Sequence, residues 1–128
     1  MILCKDLIKS YDQIKVLKGV NLQIEEGSLV SIVGSSGAGK STLLHILGTL
    51  DKPDAGFLEI NGLEIPKLKE KDLAKFRNRE IGFIFQFHHL LPEFSAIENV
   101  SIPGWLAGRK KATVKEEAGR LLQMLGLA

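Results

Sequence analysis

A chain of 128 residues can form one domain with a hydrophobic core, and its composition, 45% apolar and 25% charged residues, is that of an ordinary globular protein. The net charge of +2 is too small to indicate nucleic acid as the main partner, and Cys4, the only cysteine, excludes an intramolecular disulfide. No apolar run reaches the length of a membrane span, so we expect a protein inside the cell that meets a membrane only through a partner.

The first third of the chain predicts strands on either side of short turns. Ile2–Tyr11 and Ile14–Ile24 mix β-branched and polar residues around a break at 12–13, which predicts a hairpin-like pair of strands. The short apolar run 28–33 predicts a buried strand. A glycine-rich segment follows, and 40–50 is apolar on most sides, as in a buried helix.

The middle of the chain alternates strand and helix signals. Residues 57–60 predict a strand that ends in Asn61-Gly62, a strong turn signal. The charged segment 69–78 predicts a surface helix, and 81–85 predicts another buried strand.

The last third predicts helices. Residues 95–98 and 113–116 both fit the Ser/Thr-x-x-Glu pattern of a capping box, which marks a helix start. We expect Pro103 and Gly104 to limit the first of these helices. An apolar stripe follows the second box at Val114, Ala118, Leu121, Leu122 and Leu125.

Together these elements predict an α/β fold. The alternation of strands and helices around the glycine-rich segment indicates a mostly parallel core sheet. The first strands and 57–60 would form a smaller antiparallel β layer, and the chain would end in a helical region.

The glycine-rich segment fits the phosphate-loop pattern G-x-x-x-x-G-K-[ST]. Its residues are Gly34-Ser35-Ser36-Gly37-Ala38-Gly39-Lys40-Ser41. Glycines permit backbone conformations that turn successive amides inward around an anion, and a helix that begins near Lys40 directs its positive end at the phosphates. Lys40 can reach the terminal phosphates, and Ser41 can bind Mg²⁺. The segment therefore predicts binding of a nucleotide such as ATP.

Several enzyme classes share this loop. GTP-binding switches usually add Asp-x-x-Gly and Asn-Lys-x-Asp, and neither pattern occurs in this sequence. On the loop alone, a small-molecule kinase remains an alternative.

The surroundings of the loop resemble the nucleotide-binding subunits of ATP-binding cassette (ABC) transporters. The run 34–44, the upstream Tyr11 and the stretch 16–22 carry the resemblance, with Gln86 at the position of the glutamine of the Q-loop. The resemblance implies a P-loop NTPase fold in which Tyr11 stacks on adenine. It also implies nucleotide contacts from the whole loop and the residue after it, namely Gly34, Ser35, Ser36, Gly37, Ala38, Gly39, Lys40, Ser41 and Thr42.

The same resemblance assigns the catalytic and metal residues. Lys40 and Gln86 are the implied catalytic residues, and Ser41 and Gln86 the implied Mg²⁺ ligands. Ser36 would bond the terminal phosphate. The implied partners are integral membrane permease subunits and a second copy of the ATPase subunit, at the cytoplasmic side of a bacterial inner membrane.

Residues 85–100 narrow the resemblance further. Within the family this stretch, with paired histidines at 88 and 89, is very similar to the ATP-binding subunits of bacterial lipoprotein-releasing systems. The macrolide-export and cell-division subunits remain alternatives. The implied activity is ATP hydrolysis that drives lipoprotein release.

The sequence also departs from the family pattern. It contains no Leu-Ser-Gly-Gly-Gln signature, no apolar strand that ends in Asp-Glu and no later switch histidine. We therefore expect the first part of a longer nucleotide-binding domain, inactive alone. The expected layout is a β layer and loop core over 1–65, the core to the Q-loop over 66–90, and the start of a helical subdomain over 91–128.

Overall fold

The computed structural model describes residues 1–127 and divides them into two compact units, the first over Met1–Ala74 and the second from Lys75 onward. The first unit holds four strands, one α-helix and a short 3-10 helix, and a second α-helix begins in it. Its elements are β1 (Ile2–Tyr11), β2 (Ile14–Ile24), α1 (Lys40–Leu47), β3 (Ala55–Ile60), β4 (Leu63–Glu64), the 3-10 helix Ile65–Lys67 and the beginning of α2 (Glu70–Glu80). The second unit contains α3 (Ala96–Leu106) and α4 (Lys111–Met124).

One antiparallel sheet organises the first unit, with its strands in the order β2-β1-β3-β4. The central strand β1 has hydrogen-bonded neighbours on both sides, and its Cys4 and Leu7 are fully buried. Leu58 of β3 lies opposite Cys4 and is also fully buried. Burial of such apolar side chains supplies the main stabilisation of the sheet.

Both predicted strand connections are confirmed as tight turns. β1 and β2 pair from Ile2 opposite Ile24 to Tyr11 opposite Ile14, so they form the predicted hairpin. At the second turn, Asn61 and Gly62 have φ angles of 49° and 79°, the positive values that a type I′ hairpin turn requires. That turn leads into β4, which the sequence analysis did not predict.

The predicted parallel core sheet does not form within residues 1–127. Residues 28–33 and 81–85 have no strand assignment, and the ladders that exist are antiparallel. A strand requires a neighbour whose N–H and C=O groups pair with its own, and neither segment has one in the part of the chain described. Their apolar side chains are correspondingly open to solvent: Leu29 is fully exposed and Ile84 is 98% exposed.

The predicted helix after the glycine-rich segment is α1, which ends at Leu47 rather than at residue 50. Leu43, Ile46 and Leu47 are buried, so the helix packs with one face. The predicted charged helix over 69–78 is confirmed as α2, at Glu70–Glu80.

The capping box at the start of α3 is confirmed. The Ser95 amide donates to Glu98 Oε2 at 2.9 Å and the Ser95 hydroxyl donates to the same oxygen at 2.6 Å. The predicted end of this helix is wrong, since Pro103 and Gly104 lie inside α3. A proline removes one hydrogen bond from a helix but does not stop it where packing holds the turn. Gly104 is packed so tightly that an added Cβ would lie 2.7 Å from Val114 Cγ1.

The prediction of a capping box over 113–116 is wrong. α4 begins at Lys111 with Lys110 as its N-cap, so Thr113 lies inside the first turn. The apolar stripe behind it is confirmed in its first part, where Val114 and Ala118 are buried. Leu121 and Leu125 at its end are exposed.

None of the helices within residues 1–127 combines the length and the apolarity that crossing a bilayer would demand.

The capping box makes the stability of α3 dependent on pH. Hydrogen bonds from the side chain and then from the amide of Ser95 hold the pKa of Glu98 below its ordinary value of 4.5. A carboxyl whose pKa is depressed by folding adds stability above its unfolded pKa and loses it as the pH falls through the folded pKa. We expect the thermal midpoint of the protein to fall more steeply below about pH 4.5 than that of Glu98→Gln, whose amide oxygen still accepts the bonds but does not titrate. Parallel curves for the two proteins between pH 7 and pH 3 would contradict this assignment.

Candidate functional site

The glycine-rich loop, residues 34–41, runs directly into the first turn of α1. Gly37 and Gly39 have φ angles of 77° and 87°, a left-handed conformation that residues with a Cβ avoid. Gly39 is the N-cap of α1 and has no side chain to bond the first helical amides. Those amides have no acceptor within the helix either, so they are free to bind an anion at the start of the helix.

The hairpin β1–β2 fixes the position of this loop. A Cβ added to Gly39 would lie 3.0 Å from both Val16 Cγ1 and Leu17 Cδ2, and 3.3 Å from the Val16 carbonyl. The backbone of the loop therefore rests directly against β2. Within the loop, the Ala38 amide donates to the Ser35 carbonyl at 3.3 Å and closes a turn.

The side chain of Lys40 lies across the loop. Its Nζ donates to the Gly34 carbonyl at 3.0 Å and to the Ser35 carbonyl at 2.6 Å. Both acceptors are neutral, whereas a phosphate would offer charged oxygens that also attract the ammonium by direct charge–charge interaction. The ammonium is thus positioned at the loop with acceptors that a phosphate can replace.

A pocket of about 280 Å³ lies over this loop and the start of α1. It is lined by Tyr11, Val16, Gly37, Ala38, Gly39, Lys40, Ser41 and Thr42. The structure therefore brings together the aromatic residue at the end of β1 and the second half of the loop. Val16 completes the wall and was not predicted as a site residue.

Two further residues contact Tyr11 at this site. Neither of them is predicted as a site residue from the sequence. The Tyr11 hydroxyl donates to Asp51 Oδ2 at 2.7 Å, and Lys9 Nζ donates to Asp51 Oδ1 at 2.8 Å. Asp51 lies beyond α1, in a segment whose sequence predicts only a loop. The sequence offered one signal for the contact between Lys9 and Tyr11. They are two residues apart on one strand, and such residues share a face of a sheet.

Gln86 belongs to the second unit. It is exposed and lies in a bend, not at the end of a strand, because 81–85 is unpaired. The residues around it form an aromatic cluster: the Phe85 ring centroid lies 4.5 Å from that of Phe83 and 4.5 Å from that of His89. His89 Nδ1 also makes a 2.8 Å hydrogen bond with the Phe87 carbonyl.

An asparagine not predicted from the sequence fixes the segment that leads from Gln86 to α3. Asn99 Nδ2 donates to the carbonyls of Leu91, Phe94 and Ser95 at 2.9 to 3.1 Å. Its Oδ1 accepts from the Leu91 amide at 2.9 Å. One side chain therefore bonds to four backbone groups of this segment, and because an amide has two N–H donors, one of them is shared between two carbonyls.

The loop, its two left-handed glycines, the helix start and the positioned lysine are features of the P-loop NTPase class. The comparison with known protein families identifies the branch of that class. The model of the family described as ABC transporter matches residues 17–128. The chain belongs to the ABC transporter family, and the resemblance found in the sequence is confirmed.

Two curated relatives carry the name of an ATP-binding protein of a lipoprotein-releasing system. The chain is 53% identical over 127 residues to the lipoprotein-releasing system ATP-binding protein LolD of Bacteroides thetaiotaomicron, covering 99% of this chain and 58% of the relative. It is 53% identical over 124 residues to LolD of Porphyromonas gingivalis, covering 97% of this chain and 57% of the relative. The chain therefore spans somewhat more than half the length of the curated relatives that it matches.

Solved structures confirm the fold. The chain superimposes with a TM-score of 0.89 on the ATP-binding cassette MJ0796, in a dimeric post-hydrolysis state bound to ADP and Pi, at 40% identity. The match covers 97% of this chain and 56% of that one. A second structure of the same protein, described as a dimeric bacterial ABC transporter cassette, matches equally well.

Proposed function

We propose that this chain is the nucleotide-binding part of an ATP-hydrolysing ABC transporter subunit that powers lipoprotein release from a bacterial inner membrane. The observation that carries the proposal is the loop 34–41 at the start of α1, with Lys40 Nζ held 2.6 Å from the Ser35 carbonyl. About half of the residues are identical to those of LolD proteins, which supports lipoproteins as the cargo.

The residues present fit a nucleoside triphosphate. Gly39 has no side chain to bond the first amides of α1, those amides lack helical acceptors, and the Lys40 ammonium can exchange neutral carbonyls for phosphate oxygens. Tyr11 forms the wall of the pocket from the end of β1 and is 43% exposed, so its ring is accessible for stacking on the base. The assignment of ATP to this pocket rests on that combination.

Mg²⁺ would supply charge neutralisation at the phosphates. The exposed hydroxyl of Ser41 at the start of α1 is suited to bind it, and we assign Gln86 as the second ligand. Ser36, at the exposed tip of the loop, would bond the terminal phosphate. Phosphoryl transfer needs positioning and charge stabilisation more than covalent help, which is the contribution that Lys40 and the loop amides can make.

Two partners follow from the proposal. A second copy of the subunit would close over the nucleotide, in keeping with the dimers described for MJ0796. Integral membrane permease subunits would receive the energy of hydrolysis at the cytoplasmic face of the membrane. Residues 91–128 would then begin a helical subdomain, after a β layer and loop core over 1–65 and a connecting core over 66–90.

Reconstitution of the full-length protein with the membrane subunits encoded beside its gene tests the cargo. We expect ATP-dependent release of a bacterial lipoprotein from proteoliposomes, and a rise in ATP hydrolysis when the lipoprotein is present. Macrolides should cause no such rise. Stimulation by a macrolide and not by the lipoprotein would contradict lipoprotein release while leaving the ATPase assignment intact.

A further inference from the structure

The ring of Tyr11 is anchored at its far end. Tyr11 ends β1 and is 43% exposed, a position where a side chain can adopt several rotamers. Its hydroxyl nevertheless donates to Asp51 Oδ2 at 2.7 Å. This hydrogen bond to a residue beyond α1 defines where the ring lies.

Asp51 is itself held in place through its other oxygen. Oδ1 accepts from Lys9 Nζ at 2.8 Å and from the Lys52 amide at 2.7 Å, which leaves Oδ2 for the tyrosine. Lys9 Nζ also donates to the Lys52 carbonyl at 2.7 Å, and its side chain is only 11% exposed. The carboxylate therefore has a fixed orientation.

Lys9 contacts the tyrosine as well as the aspartate. Its Nζ lies 5.3 Å from the centroid of the Tyr11 ring, within the range of a cation–π interaction. Lys9, Asp51 and Tyr11 thus form a closed triangle in which each member contacts the other two. We call these three residues the tyrosine anchor.

Charge keeps the tyrosine anchor intact at neutral pH. Burial opposes ionisation of Asp51, but the hydrogen bonds from Lys9, Tyr11 and the Lys52 amide outweigh it and hold the pKa of Asp51 below its ordinary value. The hydrogen bond to Asp51 raises the pKa of Lys9 and also that of Tyr11. At pH 7 the carboxylate therefore accepts, and both partners remain protonated and donate.

We propose that Asp51, oriented by Lys9, is a positioning residue that holds the Tyr11 ring over the nucleotide pocket, ready for the base of ATP. The inference rests on the proposed function, because it assumes that Tyr11 stacks on that base. A ring that is already ordered loses less side-chain freedom when the base binds, so anchoring strengthens binding of ligands that carry a base. It adds nothing for a ligand that consists of phosphates alone.

This difference gives the test, made on the full-length protein with ATP and with inorganic tripolyphosphate in equilibrium binding experiments. Asp51→Ala and Tyr11→Phe should each weaken ATP binding by roughly threefold to tenfold. Tripolyphosphate binding should change in neither variant. The double variant should lose no more than the larger single loss, because both changes remove the same hydrogen bond.

Asp54→Ala is the matched control. Asp54 lies in the same loop, its Oδ1 is 3.7 Å from Lys9 Nζ and its Oδ2 accepts from the Ser10 amide, but it forms no hydrogen bond with Tyr11. Its variant should keep the ATP affinity of the wild type. Tyr11→Phe retains the ring and nearly the same shape, so it tests the anchor even if Asp51→Ala reduces stability.

The outcomes separate the two proposals. Unchanged ATP affinity in Tyr11→Phe, or an equal loss for tripolyphosphate, would overturn the positioning role of Asp51. Failure of the wild-type protein to bind either ligand would instead overturn the proposed function.

Discussion

Replacing Lys40 by methionine in the full-length protein is expected to lower ATP hydrolysis on the order of 100-fold or more, the loss typical of removing a preorganised charge or donor at the reacting group. The Lys40 ammonium is already directed across the loop, 3.0 Å from the Gly34 carbonyl and 2.6 Å from the Ser35 carbonyl. Methionine keeps the length of the side chain but removes the charge that would neutralise the phosphates. Steady-state hydrolysis measures the effect on turnover, and calorimetric titration with ATP measures the effect on binding.

Lys18→Met is the matched control for this prediction. Lys18 is an exposed lysine on β2, opposite Ile8, and lines no part of the pocket. The same chemical change there should leave hydrolysis and ATP affinity within about twofold of the wild type, since exposed charges outside a site contribute little. If Lys40→Met hydrolysed ATP as fast as Lys18→Met, the loop would not be the catalytic phosphate site.

Local sequence signals predicted the parts of the fold that local interactions determine. β1, β2 and the Asn61-Gly62 turn follow from alternation and from residues that tolerate positive φ angles. The loop and the start of α1 follow from glycines that must adopt left-handed conformations. Each of these signals lies within a few residues of the feature it determines, so one sequence was enough.

Local signals could not predict contacts between residues that are far apart in the sequence. The apolar runs 28–33 and 81–85 indicate segments that tend to be buried. A strand also needs a partner strand, and none pairs with these runs in the described residues. The tyrosine anchor illustrates the same limit for the site, because Tyr11 and Asp51 are 40 positions apart. Nothing in a local pattern connects the end of a strand with a loop beyond the next helix.

Breaker residues were interpreted too strictly in the helical region. Pro103 and Gly104 predicted the end of α3, yet the helix continues to Leu106. The Pro103 carbonyl accepts from Asn78 Nδ2 at 3.0 Å, and Gly104 allows α4 to approach so closely that Val114 occupies the space of a side chain. Packing between helices therefore outweighed the low intrinsic helix propensity of these two residues.

Gly39→Ala is the second change with a large expected effect, because it combines two costs at one position. An alanine there would keep a φ angle of 87°, and its Cβ would lie 3.0 Å from Val16 Cγ1 and Leu17 Cδ2. Backbone strain and crowding against β2 should together lower the free energy of unfolding by about 2 to 4 kcal/mol. Relief of the crowding requires the loop to move off β2, so ATP affinity should fall roughly tenfold or more.

Gly62→Ala separates these two costs. Gly62 has a similar φ angle of 79° in the turn before β4, but an added Cβ would meet nothing within 4 Å. That variant should lose only the strain, about 1 to 2 kcal/mol, and should bind ATP like the wild type. Chemical denaturation and ATP titration of the two full-length variants give both quantities. Of these two glycines, only Gly39 has neighbours that an added Cβ would displace. If both variants lost the same stability and Gly39→Ala kept its ATP affinity, contact with β2 would not shape the loop.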